Sequence, residues 1–122
     1  MDEALGEVHA LAVQLGKAIR KHPRFITWRE ADARVRSDKA ATEALDAYNR
    51  LATLLARKER AGQPIEVEEK HQLQRLREVV AANDTIKAYM RTQADYAEMM
   101  RVMNDTIFEV IAAEDAPPKP QT

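Results

Sequence analysis

The chain contains no cysteine among its 122 residues, and this absence alone excludes several kinds of site. Without a thiol there can be no disulfide, thiolate zinc site, cysteine-bound iron–sulfur cluster or cysteine nucleophile. Glycine is scarce as well, with three isolated residues, so the chain has no glycine-rich phosphate loop. Aromatic residues make up only 5% of the sequence, which argues against an extensive β-sheet.

Long apolar runs are also missing. No run approaches the roughly 18 residues that a membrane-spanning helix needs, and residues 1–4 lack the basic-then-apolar pattern of a signal peptide. A length of 122 residues is enough for one domain with a hydrophobic core, and 32% charged residues suit an exposed helical surface. We therefore expect a single-domain cytoplasmic protein.

Helix-breaking and capping residues divide the sequence into five predicted helices. The breaks fall at Pro23, at Ser37-Asp38, at Gly62-Gln63-Pro64 and at Asn83-Asp84. We predict an all-α fold, a single-domain bundle of about five helices with a long C-terminal helix, over residues 1–114. The proline-rich residues 115–122 are predicted to form a disordered tail. The buried stripe predicted for the first helix consists of Leu5, Val8, Ala12, Leu15 and Ile19.

Residues that could carry catalysis are few. Glu68 and His71 have the Glu-x-x-His spacing of di-iron bundles, but the second pair that such a site requires is missing. The one serine, Ser37, is placed to cap a helix, which leaves little basis for a catalytic triad. We predict a non-enzymatic protein with no catalytic residues, no metal and no cofactor.

A basic patch supports an alternative function. The patch has four basic residues at positions i, i+3, i+4 and i+7, the first of which is Lys17, and Phe25 and Trp28 follow them closely. Basic side chains beside aromatic rings can hold single-stranded nucleic acid by charge and stacking. Against this, aromatics three residues apart on an amphipathic helix are more often core, and the pI near 6.3 is not that of a dedicated nucleic-acid-binding protein. The alternative nucleic-acid face consists of Lys17, Arg20, Lys21 and Arg24.

Charge is distributed unevenly along the chain. Residues 17–36 contain seven basic and two acidic residues, whereas residues 95–115 contain six acidic residues and one basic residue. Blocks of opposite sign favour docking of one on the other, within a subunit or between subunits. The alternative is two solvated faces that never meet, and the sequence leaves both open.

The long last helix, predicted from Asp84 to about Glu114, is apolar on more than one side. One apolar stripe includes Met100, Met103 and Ile107, a second includes Met90, Ala97 and Ile111, and the polar Asn104 lies on the second. The helix is too long for the bundle to cover, so its second half is predicted to contact a partner subunit in a homodimer. The predicted interface residues are Met99, Met103, Asn104, Phe108 and Ile111, with Phe108 and Met99 assigned to the interface rather than the core.

Pattern positions along nearly the whole chain, residues 3–112, resemble the YlbF/YmcA family of small all-helical bacterial regulators. The resemblance includes Leu15-Gly16-Lys17-Ala18-Ile19 and Gly62-Gln63-Pro64-Ile65, and it is clearest in Asn83-Asp84-Thr85-Ile86-Lys87-Ala88-Tyr89, followed by the methionine-rich helix. The resemblance implies a regulatory adaptor that forms homo- or hetero-oligomers, with paralogous subunits and a ribonuclease as partners. It also implies a role in competence, biofilm formation, sporulation and RNA processing by endoribonuclease Y. The iron–sulfur clusters of some relatives cannot be carried over to a chain without cysteine.

Overall fold

The computed structural model describes residues 3–115, which form five α-helices and one short 3₁₀ turn, with no β-strand in that range. The predicted all-α bundle with a long C-terminal helix is therefore confirmed. Of the tail predicted over residues 115–122, Asp115 is the last residue of the long helix, and residues 116–122 lie outside the described residues. The elements are the 3₁₀ turn Glu3–Leu5, α1 (Gly6–Lys21), α2 (Pro23–Ser37), α3 (Lys39–Arg60), α4 (Val67–Ala82) and α5 (Asp84–Asp115).

Polar side chains cap the N-terminal ends of three helices. His22 precedes Pro23, and its Nδ1 accepts a hydrogen bond from the Arg24 N–H at 3.0 Å, which caps α2. Asp38 caps α3 by accepting from the Ala41 N–H at 3.1 Å. Asn83 Oδ1 accepts from the Ile86 N–H at 3.0 Å, so the predicted break between α4 and α5 is a capped junction. Local chemistry at each junction therefore ends one helix and starts the next.

The connection between α3 and α4 reverses the direction of the chain. Gly62 has a φ of 70°, which a residue without Cβ adopts at no steric cost after a helix end. Lys58 and Glu69 form an ion pair at 2.8 Å beside this turn, and both side chains are partly buried. This ion pair lowers the pKa of the Glu69 carboxyl below its ordinary value, and the Glu66 N–H adds to the effect. The two helices thus form an antiparallel pair.

The hydrophobic core lies at one end of the molecule, where the α2–α3 and α4–α5 junctions meet. Its centre is Ile86, which is fully buried, and three partly buried side chains pack around the cluster. The buried members are Val35, Ala41, Ala44, Val80 and Ile86, and the surrounding residues are Leu45, Tyr48 and Tyr89.

Helix α2 runs antiparallel to the first half of α5. At the start of α2, the Arg24 guanidinium donates to the Asp95 carbonyl at 3.3 Å. At its end, the Ala41 N–H and, to a smaller extent, the hydroxyl of Thr85 stabilise the ionised Asp38, so the pKa of Asp38 is lowered. Since the first turn of α2 lies level with residue 95 of α5, the remaining turns of α5 extend beyond the N-terminal end of α2.

Helix α1 corrects one expectation. Its apolar stripe was predicted to be buried, but residues 7–18 are all exposed, and only Ile19 of that stripe is half-buried. Leu5 and Val8 are 54% and 65% exposed. Val67, in the first turn of α4, is another apolar residue on the surface, at 67% exposed. The apolar pattern of α1 is real, but the residues that would cover it are not supplied by its own bundle.

Candidate partner interface

The second half of α5 extends the helix without a covering neighbour. From residue 101 to residue 113 every side chain is exposed except that of Met103, which is half-buried. Tyr89, Tyr96, Met103 and Val110 follow one another at seven-residue steps, so they share one face of the helix. The first three are half-buried and Val110 is 59% exposed, which places the end of the covered stretch near Met103.

Four of the five predicted interface residues lie on this surface, and Met99 does not. Phe108 is 67% exposed and Ile111 57% exposed, Asn104 is exposed, and Met103 is half-buried. Met99 is only 8% exposed, so its assignment to the interface rather than the core is wrong. Met99 lies one heptad after the buried Thr92, on the inner face of α5.

Thr92 explains why the spacing of apolar residues placed Met99 at the interface. It is a polar residue that is only 7% exposed, and its hydroxyl donates to the carbonyls of Ala88 and Tyr89 at 2.9 and 3.0 Å. A hydroxyl with such local partners can be buried at little cost. A prediction based on apolar residues alone therefore did not assign Thr92 and Met99 to the buried face of α5.

An open groove of about 620 Å³ lies where α5 passes the start of α2. Trp28 and Tyr96 form its base, stacked with ring centroids 5.0 Å apart and planes within 3°. Asn104 is one of its polar lining residues. The other lining residues are Gln93, Ala97, Met100, Arg101 and Asp105. The shape and lining suit the side chains of a helix lying along α5.

A charged network borders the groove on α5. Arg101 donates to Glu98 through Nε at 3.0 Å and to Asp105 through Nη1 at 2.7 Å. The hydrogen bonds from Arg101 lower the pKa of the Glu98 carboxyl, and the positive charge of Arg24 contributes in the same direction. The same contacts raise the pKa of Arg101. The apolar face of the second half of α5 is therefore flanked by fixed charges that are mostly acidic.

The residues of the alternative nucleic-acid face do not form one continuous helical face. Lys17, Arg20 and Lys21 are exposed on α1, whereas Arg24 follows the break at His22, whose ψ is 139°. Arg24 lies on α2 and its guanidinium donates to α5. The i to i+7 spacing in the sequence therefore does not continue through the structure.

The aromatic residues beside that basic patch are packed rather than free. Phe25 lies 5.7 Å from Tyr96 and 6.0 Å from Trp28 between ring centroids, and Trp28 stacks on Tyr96. Their ring faces are therefore used within the subunit, where they join α2 to α5. Stacking of bases, which the alternative function needs, would have to displace one of these contacts.

The remaining candidate sites carry little chemistry. Glu68, the acidic member of the Glu-x-x-His pair, forms an ion pair with Arg75 at 3.0 Å. Over the part of the chain that the structure describes, no three histidine or acidic residues are grouped so that they could hold a metal ion. None of the described helices is long and apolar enough to cross a membrane.

The exposure of the apolar face of α1 is the feature that the sequence did not predict. It is as exposed as the second half of α5, with Leu11 at 59% and Leu15 at 37%. Helical periodicity shows that such a face exists, but it gives no sign of which chain covers it.

Comparison with known proteins identifies a family from the sequence and a similar fold among solved structures. Residues 8–112 match the family described as "Control of competence regulator ComK, YlbF/YmcA". UPF0342 proteins from two strains of Streptococcus pyogenes are each 26% identical over 102 residues, covering 84% of this chain and 90% of each relative. The crystal structure of Bacillus subtilis RicA in complex with RicF has a TM-score of 0.77 and 13% identity, covering 90% of this chain and 97% of that chain. At this identity the RicA comparison shows the fold alone. Because the family match spans nearly the whole described chain, the protein belongs to the YlbF/YmcA family.

Proposed function

We propose that this protein is a non-enzymatic regulatory adaptor that works as a homodimer through the exposed half of α5. The observation that carries the proposal is the apolar surface of the last turns of that helix. Ile107, Phe108, Val110 and Ile111 are between 44% and 67% exposed and lie close together in sequence. A contiguous apolar patch of this kind on a folded subunit is typical of a protein–protein interface.

The family supports a regulatory role rather than an enzymatic one, since it is described by its control of a competence regulator. RicA, which shares the fold, forms a complex with RicF. By extension, we propose that this protein acts in control of RNA processing, competence, biofilm formation or sporulation. Its proposed partners are paralogous subunits and a ribonuclease of the endoribonuclease Y type.

The homodimer can be tested by placing charges on the exposed patch. Replacing Phe108 and Ile111 together by glutamate should give a folded, helical monomer, because both side chains are exposed and the core does not depend on them. Burying two unpaired carboxylates in a dimer interface would be costly. Light scattering coupled to gel filtration measures the mass, and circular dichroism checks the helix content. Met99 is left unchanged, since a glutamate at this buried position would damage the core.

Val67→Glu is a matched control. Val67 and Phe108 have the same exposed fraction, 67%, but Val67 lies at the start of α4, where an acidic residue suits the helix dipole. The control should remain a dimer. A monomeric wild-type protein at high concentration, or a double variant that stays dimeric, would show that this surface is not the subunit interface.

The adaptor role is tested by identifying what the protein retains from a native lysate, with and without nuclease treatment. Recovery of an identified ribonuclease or paralogue that survives nuclease would support the proposal. Direct RNA binding through Lys17, Arg20 and Lys21 is the competing function, and it predicts retention of RNA on a filter at low salt that falls steeply as salt rises. No retention at low salt would eliminate the competing function.

A further inference from the structure

The structure leaves two apolar faces of one chain uncovered, and they are similar in length. The first belongs to α1, which has 16 residues, and the second to the last turns of α5, from residue 101 onward. At 1.5 Å per residue both span about 23 Å. The apolar side chains of α1 at three- and four-residue steps form one stripe. This stripe consists of Leu5, Val8, Leu11, Ala12, Leu15 and Ile19.

We infer that α1 of one subunit packs against the second half of α5 of a second copy of this chain, and that the exchange is reciprocal. The inference rests on the proposed homodimer and names the element of the partner that covers α5. It accounts for both exposed faces with one contact, repeated twice in a symmetric dimer.

The junction between α1 and α2 explains why α1 does not cover α5 of its own subunit. Pro23 restricts the backbone of His22, and the hydrogen bond from the Arg24 N–H holds the His22 side chain as a cap. The helix axis therefore turns at a defined point, and α1 leaves the bundle with residues 7–18 exposed.

Charge indicates which helix of the second copy covers the exposed half of α5. Contact between two α5 ends would bring like charges together, and so would contact between two α1 helices, whereas contact of α1 with α5 joins opposite charges. The sequence of α1 has three basic residues and one acidic residue, and α5 from residue 101 to residue 113 has two acidic residues and one basic residue. The basic residues are Lys17, Arg20 and Lys21 on α1, and the acidic residues are Asp105 and Glu109 on α5.

The absence of cysteine makes the exchange directly testable by cross-linking. Leu11 lies near the middle of α1 and Ile107 near the middle of the exposed half of α5, so they approach each other whichever way the helices run. Two single variants, Leu11→Cys and Ile107→Cys, are mixed, unfolded, refolded together and treated with a short bismaleimide. The expected product is a covalent dimer of one chain of each kind, seen on a denaturing gel and identified by mass spectrometry.

Val13→Cys is the matched control for Leu11→Cys. Val13 is also apolar and exposed, at 42%, but two residues along a helix place it on nearly the opposite side. Mixed with Ile107→Cys it should give at least about tenfold less cross-linked dimer. Equal yields from the two mixtures would overturn the inference.

A double variant, Leu11→Cys with Ile107→Cys in one chain, separates exchange from folding back. Exchange gives a covalent dimer, whereas α1 folded onto its own α5 gives a covalently closed monomer and overturns the inference. Light scattering on the wild type separates the two proposals. A dimer without the α1–α5 cross-link leaves the homodimer standing and removes the exchange, whereas a monomeric wild type removes both.

Discussion

The two halves of α5 are similar in composition and differ in their surroundings. Residues 84–100 contain Ile86, Thr92 and Met99, which are 0%, 7% and 8% exposed, whereas no described side chain from residue 101 onward is buried. Both halves repeat apolar residues at helical spacing along one continuous helix of 32 residues. The comparison teaches that periodicity defines an apolar face, and that neighbouring elements decide whether the face becomes core or interface.

Helix α2 makes the difference between the halves. It packs against α5 from the level of Thr85 to that of Asp95 and Tyr96, and it begins only at Pro23. Beyond that level the chain has turned away into α1. The exposed half of α5 is therefore a consequence of where the His22–Pro23 break falls in the sequence.

The largest expected effect is the difference in stability between two isoleucine-to-alanine variants, one in each half of α5. Ile86→Ala removes a fully buried side chain and should lower the free energy of unfolding by about 2–5 kcal/mol, since it loses apolar contact and leaves a cavity. Ile111→Ala, at 57% exposed, should change it by less than about 1 kcal/mol when both are measured in a Phe108→Glu background that light scattering shows to be monomeric. Urea denaturation followed by circular dichroism gives both values. Equal losses would mean that the second half is packed within its own subunit.

A smaller effect is expected in amide hydrogen exchange. In the proposed wild-type dimer both halves of α5 should be protected. In the monomeric Phe108→Glu, Ile111→Glu variant the amides of residues 101–113 should exchange at least about tenfold faster, because nothing covers that part of the helix. Amides near Ile86 should keep their protection. If residues 7–18 also lose protection in the variant, α1 is ordered by the same interface, and unchanged exchange in residues 101–113 would contradict the partner assignment.

Most of the fold was predictable because its determinants are local. Pro23, Asp38, Gly62 and Asn83 act through backbone restriction and capping, so the helix boundaries could be placed from the sequence to within a few residues. Placing α1 correctly was not possible, since its amphipathic pattern would be the same whether the helix is covered by its own subunit or by another.

The candidate interface was predictable in part, for the same reason. Phe108, Ile111 and Asn104 were expected on the surface because too many sides of α5 are apolar for one bundle to cover, and they are exposed. Met99 was placed wrongly because the buried face of α5 includes Thr92, whose hydroxyl is satisfied by its own helix. A burial pattern that includes a polar residue cannot be recognised from apolar spacing alone.

The smallest effect concerns the ion pairs at the point where α5 leaves the bundle. Arg101 holds the pKa of Glu98 below its ordinary value of 4.5, so this group stabilises the fold above that pH and the contribution is lost as the pH falls through the lowered pKa. Arg101→Gln should raise the pKa of Glu98 toward the ordinary value, as followed by NMR titration of its side-chain carboxyl carbon. The change in thermal midpoint at neutral pH should be no more than about two degrees, because the residues are exposed. Asp105→Asn is the control, since it leaves the Arg101–Glu98 hydrogen bonds in place and should leave the pKa of Glu98 low. If the pKa of Glu98 stays low in Arg101→Gln, the carboxylate is held mainly by Arg24 across the α2–α5 contact, and the network belongs to the packed half of the helix.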